Sequence, residues 1–483
     1  MPDGTPQADV PHIQLRRSYP SYECLDRDEI AHLERVVLDL QDFISTARIP
    51  HHVIKYVSQK ISGNRQGFEK LDVMEDSFTK KEKYFFQDPW DQRSMVIVRE
   101  GERPITDGFH LLVAHVDIPC MLIKPVPIRR EWDPDEAPNF LGVRLSCTAY
   151  GGINPHNWEG HPVRVAGYTI QKDGTKREIS FNAVIQGPSA HVDHRAGDEL
   201  GNAFTHEKSL ELTTGWASPR EVRQALEFNE NIDDDFGNTR LWANLRTDPF
   251  MFDESSWRLF TGRGLDNGAS VFSVYKAIST YLKKPEYTSI VWLPDNEEVG
   301  DTAPTGAKGP FANIVLDYII EKQKATGKIK RKNLSELDMH RMYLNSSVII
   351  SDVGMAPFGY DAEDMDWQSA PKVGNGVFID ASEGQGQTVS PSFIRRLRSL
   401  VNGRKSKICH QIVGISYRGE DTHLSEDPWV SGYLIPKGVS YANAGIPLAG
   451  LHLPAETLCT SDILWTTRFY RRFLESNIDL RKK

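Results

Sequence analysis

The chain of 483 residues predicts an α/β protein: a mixed β-sheet covered by helices on both faces, carrying an inserted, mostly β domain. Three observations predict it. Apolar residues at helical spacing open the fold and lead into short β-branched runs. After Leu265, helical and apolar strand-like segments alternate, the pattern of a sheet sandwiched between helices. Between Ile118 and Leu245 the character changes to alternating apolar and polar residues with many turns. The domain boundaries follow, with 1–117 and 246–483 forming one domain and 118–245 the insertion.

The elements are justified in order. Ile30, Leu33, Val36, Val37, Leu40, Phe43 and Ile44 mark the apolar face of one or two helices between Asp26 and Val57. Met95–Arg99 and Phe109–Val116 are short, apolar and β-branched, and the turn-like Gly101–Gly108 separates them as strands. Polar stretches at Asp193–Asn202 and Asn229–Asn238 interrupt the insertion. Beyond it the sequence predicts a helix over Gly268–Leu282, a strand over Ser289–Leu293, a helix over Phe311–Thr326 and a strand over Ser347–Ile350. A strand near Leu448–Leu451 and a helix over Ser461–Leu474 complete the series.

Composition excludes several functional classes. A net charge of −9 argues against nucleic acid or an anionic membrane as the main partner. The basic run Lys328, Lys330, Arg331 and Lys332 is flanked by Glu321, Glu336 and Asp338, which reads as a solvated helix-loop face. Cys24, Cys120, Cys147, Cys409 and Cys459 are odd in number and include no CxxC pair, as expected of reduced thiols. No apolar run approaches the roughly 18 residues of a membrane span, and the N-terminus lacks the pattern of a signal peptide, so a cytoplasmic protein is expected. A serine hydrolase is disfavoured because no GxSxG occurs.

Chemistry is expected where strands end, because ligands of open α/β sheets gather at the carboxyl ends. LLVAHVD delivers His115 and Asp117, two apart, so that on a strand both would face the same way. SIVWLPDNEEVG delivers Glu297 and Glu298, VIISDVG delivers Asp352, and GIPLAGLHLP delivers His452. Asp266, in GRGLDNGAS, stands at a helix start, where the helix N-terminus stabilises a carboxylate. Singly, such residues are more often capping or surface features. Together, two histidines and three carboxylates supply the N and O donors that a pair of Zn²⁺ ions prefers, with Glu297 left to move protons.

These segments carry a specific resemblance. HVDIPCMLIKP, YGGINPHNW, GLDN, DNEEVG, SDVGMAP and GIPLAGLHLP resemble, in the same order, the motif set of the aspartyl aminopeptidases, from about Val36 to Glu475. The resemblance implies an aminopeptidase with two Zn²⁺ or other divalent transition-metal ions per chain. His115, Asp266 and Asp352 would hold one ion, and Asp266, Glu298 and His452 the other. Glu297 would be the general base, and Asp117 would orient His115. It further implies that the insertion is a dimerisation domain, that the protein is a homo-oligomer forming a closed tetrahedral dodecamer, and that its substrates are peptides. A histidine of the insertion would reach a neighbouring subunit's site; His191 and His194 are the candidates, an ordinary surface histidine being the other reading of each.

Departures from the pattern concern the substrate. Glu159 to Val163 stand where eukaryotic members carry Phe-Asp-Arg-Asp-Leu, which looks more like the bacterial branch. Where relatives place a lysine for acidic side chains, GNGVFID puts Ile379 or Asp380, with Lys372 nearby. Asp380 would then select against acidic N-terminal residues; alternatively it faces solvent or caps a turn while Ile379 lines an apolar pocket. Gly384–Gln387 reads as a loop. A di-zinc carboxypeptidase or deacylase, or a non-catalytic assembly protein on the same fold, are the alternative functions.

Overall fold

The structure, a computed structural model, describes residues 19–63, 67–75, 77–128, 142–186, 210–228, 232–252, 257–280, 283–384, 387–402, 407–414 and 430–477. A nine-stranded mixed sheet forms its centre. Four neighbouring strands, Thr288–Leu293, Phe109–Val113, Ser347–Ile350 and Ser440–Gly445, run parallel. Antiparallel Met95–Arg99 flanks this block on one side and antiparallel Val377–Asp380 on the other.

Side-chain alternation explains why both faces are covered. Leu112, Val291, Ile349 and Ala442 point to one side, where they pack with Phe43 of helix Arg27–Thr46, Phe272 of helix Leu265–Thr280 and Phe469 of helix Thr460–Leu474. Leu111, Val113, Ile290, Trp292, Val348 and Ile350 point to the other, against Phe311, Val315 and Ile319 of helix Phe311–Ala325. Each fully buried Leu, Ile or Val contributes about 1.5–3 kcal/mol, so a strand apolar at every position is stable only between two helix layers.

Six antiparallel strands, Cys120–Ile123, Arg144–Tyr150, Pro162–Ile170, Lys176–Ile185, Glu211–Thr213 and Thr239–Leu245, close into a barrel with its own apolar core. The first and last of these are neighbours, Leu122 opposite Trp242 and Met121 opposite Ala243. A further five-stranded sheet joins Phe250–Met251, Leu259–Gly262, Glu456–Cys459, Pro447–Ala449 and Gly354–Ala356. The helix Pro20–Glu23 is fastened to the last helix through Ser21, whose hydroxyl donates to buried Asp462 at 2.6 Å.

Several elements differ from expectation. The strand expected over Phe109–Val116 stops at Val113, so His115 and Asp117 lie beyond the ladder and the same-face argument does not govern them. Helical torsions begin at Gly268, as expected, while Asp266 and Asn267 just before it are non-helical. His452 follows a strand of the five-stranded sheet, Pro447–Ala449, while the central sheet is continued by the unforeseen Ser440–Gly445. Gly384 and Gln387, expected in a loop, belong to a short antiparallel pair.

Candidate metal centre

Loops at the carboxyl end of the parallel block, which carry His115, Glu297, Glu298 and Asp352, meet Asp266 and His452, which follow strands of the five-stranded sheet, in one cluster. His115 Nε2 lies 3.3 Å from Asp266 Oδ1, 3.6 Å from Asp352 Oδ1 and 3.8 Å from Glu297 Oε2. On the far side of Asp266, its Oδ2 is 3.0 Å from His452 Nε2, which stands 3.7 Å from Glu298 Oε2. Among the described residues, three groups of donor atoms are compact enough for an ion: His115–Asp266–Asp352, Asp266–Glu298–His452 and His115–Glu297–Glu298.

Two buried carboxylates hold these donors in place. Asp117 accepts the backbone N–H of Glu297 at 3.2 Å and of Glu298 at 3.1 Å, together with the Tyr150 hydroxyl at 3.0 Å. His115 Nδ1 is turned to Asp117 as well, 3.1 Å from its carbonyl and 3.4 Å from its carboxylate. Glu456 is the counterpart. It accepts the N–H of His452 at 3.0 Å, Leu265 at 2.7 Å and Asp266 at 3.2 Å. Asn296 and His452 adopt left-handed backbone, φ 69° and 60°, which is uncommon for residues with a Cβ and costs about 1–3 kcal/mol. The surrounding hydrogen bonds offset that cost and aim the neighbouring side chains.

Electrostatics show what the cluster demands. Burial opposes charge on His115, yet the carboxylates of Glu297, Asp117, Asp266 and Asp352 hold its imidazole well above the usual range. For His452, burial is likewise outweighed by Asp266, and the ring is pushed up to about 9. Burial raises Glu297 to about 8, assisted by Asp352 and Asp266 against the pull of His115. Glu298 is raised well above its ordinary value by burial and by Asp266. Only Asp266 is held low, the two histidines overcoming its burial. So many acids within reach of one another favour bound positive charge. The donor set fits a divalent ion: all N and O, with Asp266 Oδ1 and Glu298 Oε1 buried and without a hydrogen-bond partner among the described residues.

The structure brings together His115, Asp117, Asp266, Glu297, Glu298, Asp352 and His452. His191 and His194 lie outside the described residues. Asp380 ends the strand Val377–Asp380, which runs antiparallel to Ser440–Gly445 with Ile379 opposite Ala444. Its buried carboxylate accepts the Ser382 N–H at 2.7 Å and the Ser382 hydroxyl, capping a turn, while Ile379 is fully buried. Sequence reasoning missed Glu456 and Tyr150. Glu456 follows His452 by four residues in an apolar context, which was its only signal, and Tyr150 stood in the quoted YGG segment without a role.

Imidazoles and carboxylates gathered beside the carboxyl ends of parallel strands are the N and O donor set of a metal-binding α/β protein. The family described as Aminopeptidase I zinc metalloprotease (M18) matches residues 43–196 and 256–474, and the chain belongs to that family. A probable M18 family aminopeptidase 1 of Borreliella afzelii is 24% identical over 462 residues, covering 89% of this chain and 93% of the relative. One from Clostridium acetobutylicum is 23% identical over 412 residues, 80% and 82% of the two chains. Among solved structures, the M18 aminopeptidase of Thermotoga maritima superposes with a TM-score of 0.79 at 20% identity, over 94% of this chain and 98% of that one. The S. cerevesiae mApe1 dodecamer superposes at 0.69 and 14% identity, over 92% and 97%. Among the described residues, no helix is long and apolar enough to cross a membrane.

Proposed function

We propose that the protein removes the N-terminal residue from peptides by two-metal hydrolysis, with Glu297 as general base. The split of the Asp266 carboxylate carries this reading, one oxygen directed to His115 and the other to His452. In it, His115, Asp266 and Asp352 hold one Zn²⁺ or similar ion, Asp266, Glu298 and His452 hold the other, and Asp266 serves both. Bound there, two divalent ions would polarise the scissile carbonyl and acidify a water.

The two adjacent glutamates divide the remaining work by exposure. The Glu297 side chain is 23% exposed and that of Glu298 only 4%, so Glu297 alone has an open approach for water and substrate. Its carboxylate accepts a proton as the water oxygen bonds to the carbonyl carbon, and delivers it to the amine nitrogen as the C–N bond breaks. Asp117 keeps Glu297 and His115 in register throughout. Action at the N-terminus is supported by the aminopeptidase names of the relatives.

Metal analysis tests the reading. The purified protein should carry two divalent ions per chain, and Glu297→Gln should keep both while turnover falls by about 10²–10⁴-fold. Loss of an ion in that variant would make Glu297 a ligand and transfer the base role to Glu298. The barrel is the proposed dimerisation surface and a closed dodecamer the proposed assembly, supported by the dodecameric S. cerevesiae neighbour. Light scattering that returns the 54.7 kDa of one chain would reject both.

A further inference from the structure

We infer that the barrel segment Tyr150–Gly152 clamps the ligand cluster from outside, with Tyr150 as a positioning residue for Asp117 and the two glycines seated against Glu298 and His452. The inference rests on the two-metal reading above and deepens it.

Three successive residues meet three different members of the site. Tyr150 ends the barrel strand Arg144–Tyr150, is 5% exposed, and donates its hydroxyl to Asp117 Oδ2 at 3.0 Å. The phenol oxygen accepts from Asn296 Nδ2 at 3.3 Å. Asp117 in turn binds the N–H groups of both catalytic-loop glutamates, so one phenol sets the carboxylate on which the base and a ligand depend. Gly151 follows at φ +81°, and a Cβ there would lie 2.6 Å from Glu298 Oε2. At Gly152 a Cβ would lie 3.0 Å from His452 Nδ1, and its carbonyl oxygen is 3.3 Å from that nitrogen.

The physical requirement at each position is distinct. A hydroxyl is needed to reach Asp117; the first glycine supplies left-handed backbone and leaves room for a carboxylate; the second brings a carbonyl to an imidazole whose other nitrogen faces Asp266. The barrel therefore supplies no ligand among these residues but fixes the outer side of Glu298 and His452, and through Asp117 that of His115. Outer contacts of this kind typically change metal affinity or activity about 10–100-fold when removed.

The test uses the full-length, Zn²⁺-loaded protein. Tyr150→Phe should keep the fold by circular dichroism, release Zn²⁺ at about tenfold lower chelator concentration, and lower kcat on leucyl, glutamyl and lysyl fluorogenic amides with little change in KM. Gly151→Ala should lose one of two ions. Gly160→Ala is the control, since Gly160 has φ +75° in the same barrel with nothing within 4 Å of a Cβ, and it should keep both. Unchanged zinc release and kcat in Tyr150→Phe, or equal metal loss in Gly151→Ala and Gly160→Ala, would overturn the clamp. An unmutated protein that takes up no divalent ion would overturn the two-metal reading instead, and the clamp with it.

Discussion

The carboxyl edge of the central sheet and the interior of the barrel are both made from short apolar strands, yet they treat charge in opposite ways. Past the sheet edge His115 and Asp117 are each at most 5% exposed, and Asp266 and Glu456, brought in by the adjoining five-stranded sheet, are buried to the same degree. The barrel interior is filled by Met121, Leu145, Val163, Val165, Leu212 and Leu241. Strand direction accounts for the contrast. Parallel strands all end on the same side, so the loops after Val113, Leu293 and Ile350 must converge, and convergent loops can stack acids and imidazoles that stabilise one another's charge. Neighbouring antiparallel strands end on opposite sides, so no rim of the barrel gathers them all. A lone carboxylate inside it would face the full desolvation cost.

That contrast can be broken from either side. Asp266→Asn, which weakens the donor common to both proposed ion sites, should reduce metal content and lower turnover by about 10³-fold, the loss of several kcal/mol of transition-state stabilisation, while the melting curve keeps its shape. Leu212→Ala, opposite Leu145 in the barrel, should do the reverse: about 2–5 kcal/mol of stability lost in denaturant titration, with the metal count unchanged. Metal retained in the first variant would remove Asp266 from the proposed ion sites, and metal stripped in the second would show that the two regions are not energetically separate.

A smaller effect sharpens the comparison at the substrate side. Because the Asp380 carboxylate is buried and engaged by Ser382, Asp380→Asn should alter the ratio of kcat/KM for lysyl over leucyl amides by less than about twofold. A tenfold shift would restore Asp380 as the selector and require that its turn open.

What was legible in the sequence followed from local pattern. Met95–Arg99 and Ser347–Ile350 were readable to the residue because continuous β-branched runs bounded by polar residues admit few alternatives. The candidate donors His115, Glu297, Glu298, Asp352 and His452 were visible for the same reason, each standing just past an apolar run. What escaped depended on partners distant in sequence. Glu456 acquires its role only when Leu265, Asp266 and His452 surround it, and Tyr150 only when Asp117 and Asn296 arrive from other loops. Helices Pro219–Ala225 and Ile232–Gly237 are too short to display a period and vanished into the alternating pattern of the insertion.

The adjacency of the barrel's first and last strands has a temporal side. Every strand of that ring is encoded between Cys120 and Leu245, so a ribosome has made all of them before it reaches Thr288. Strand Phe109–Val113, synthesised earlier than any of them, acquires its two sheet neighbours only with Thr288–Leu293 and Ser347–Ile350. During translation the ring can therefore close while the older strand still lacks its neighbours, and Tyr150–Gly152 can be in place before Glu297, Glu298 and His452 exist to meet it.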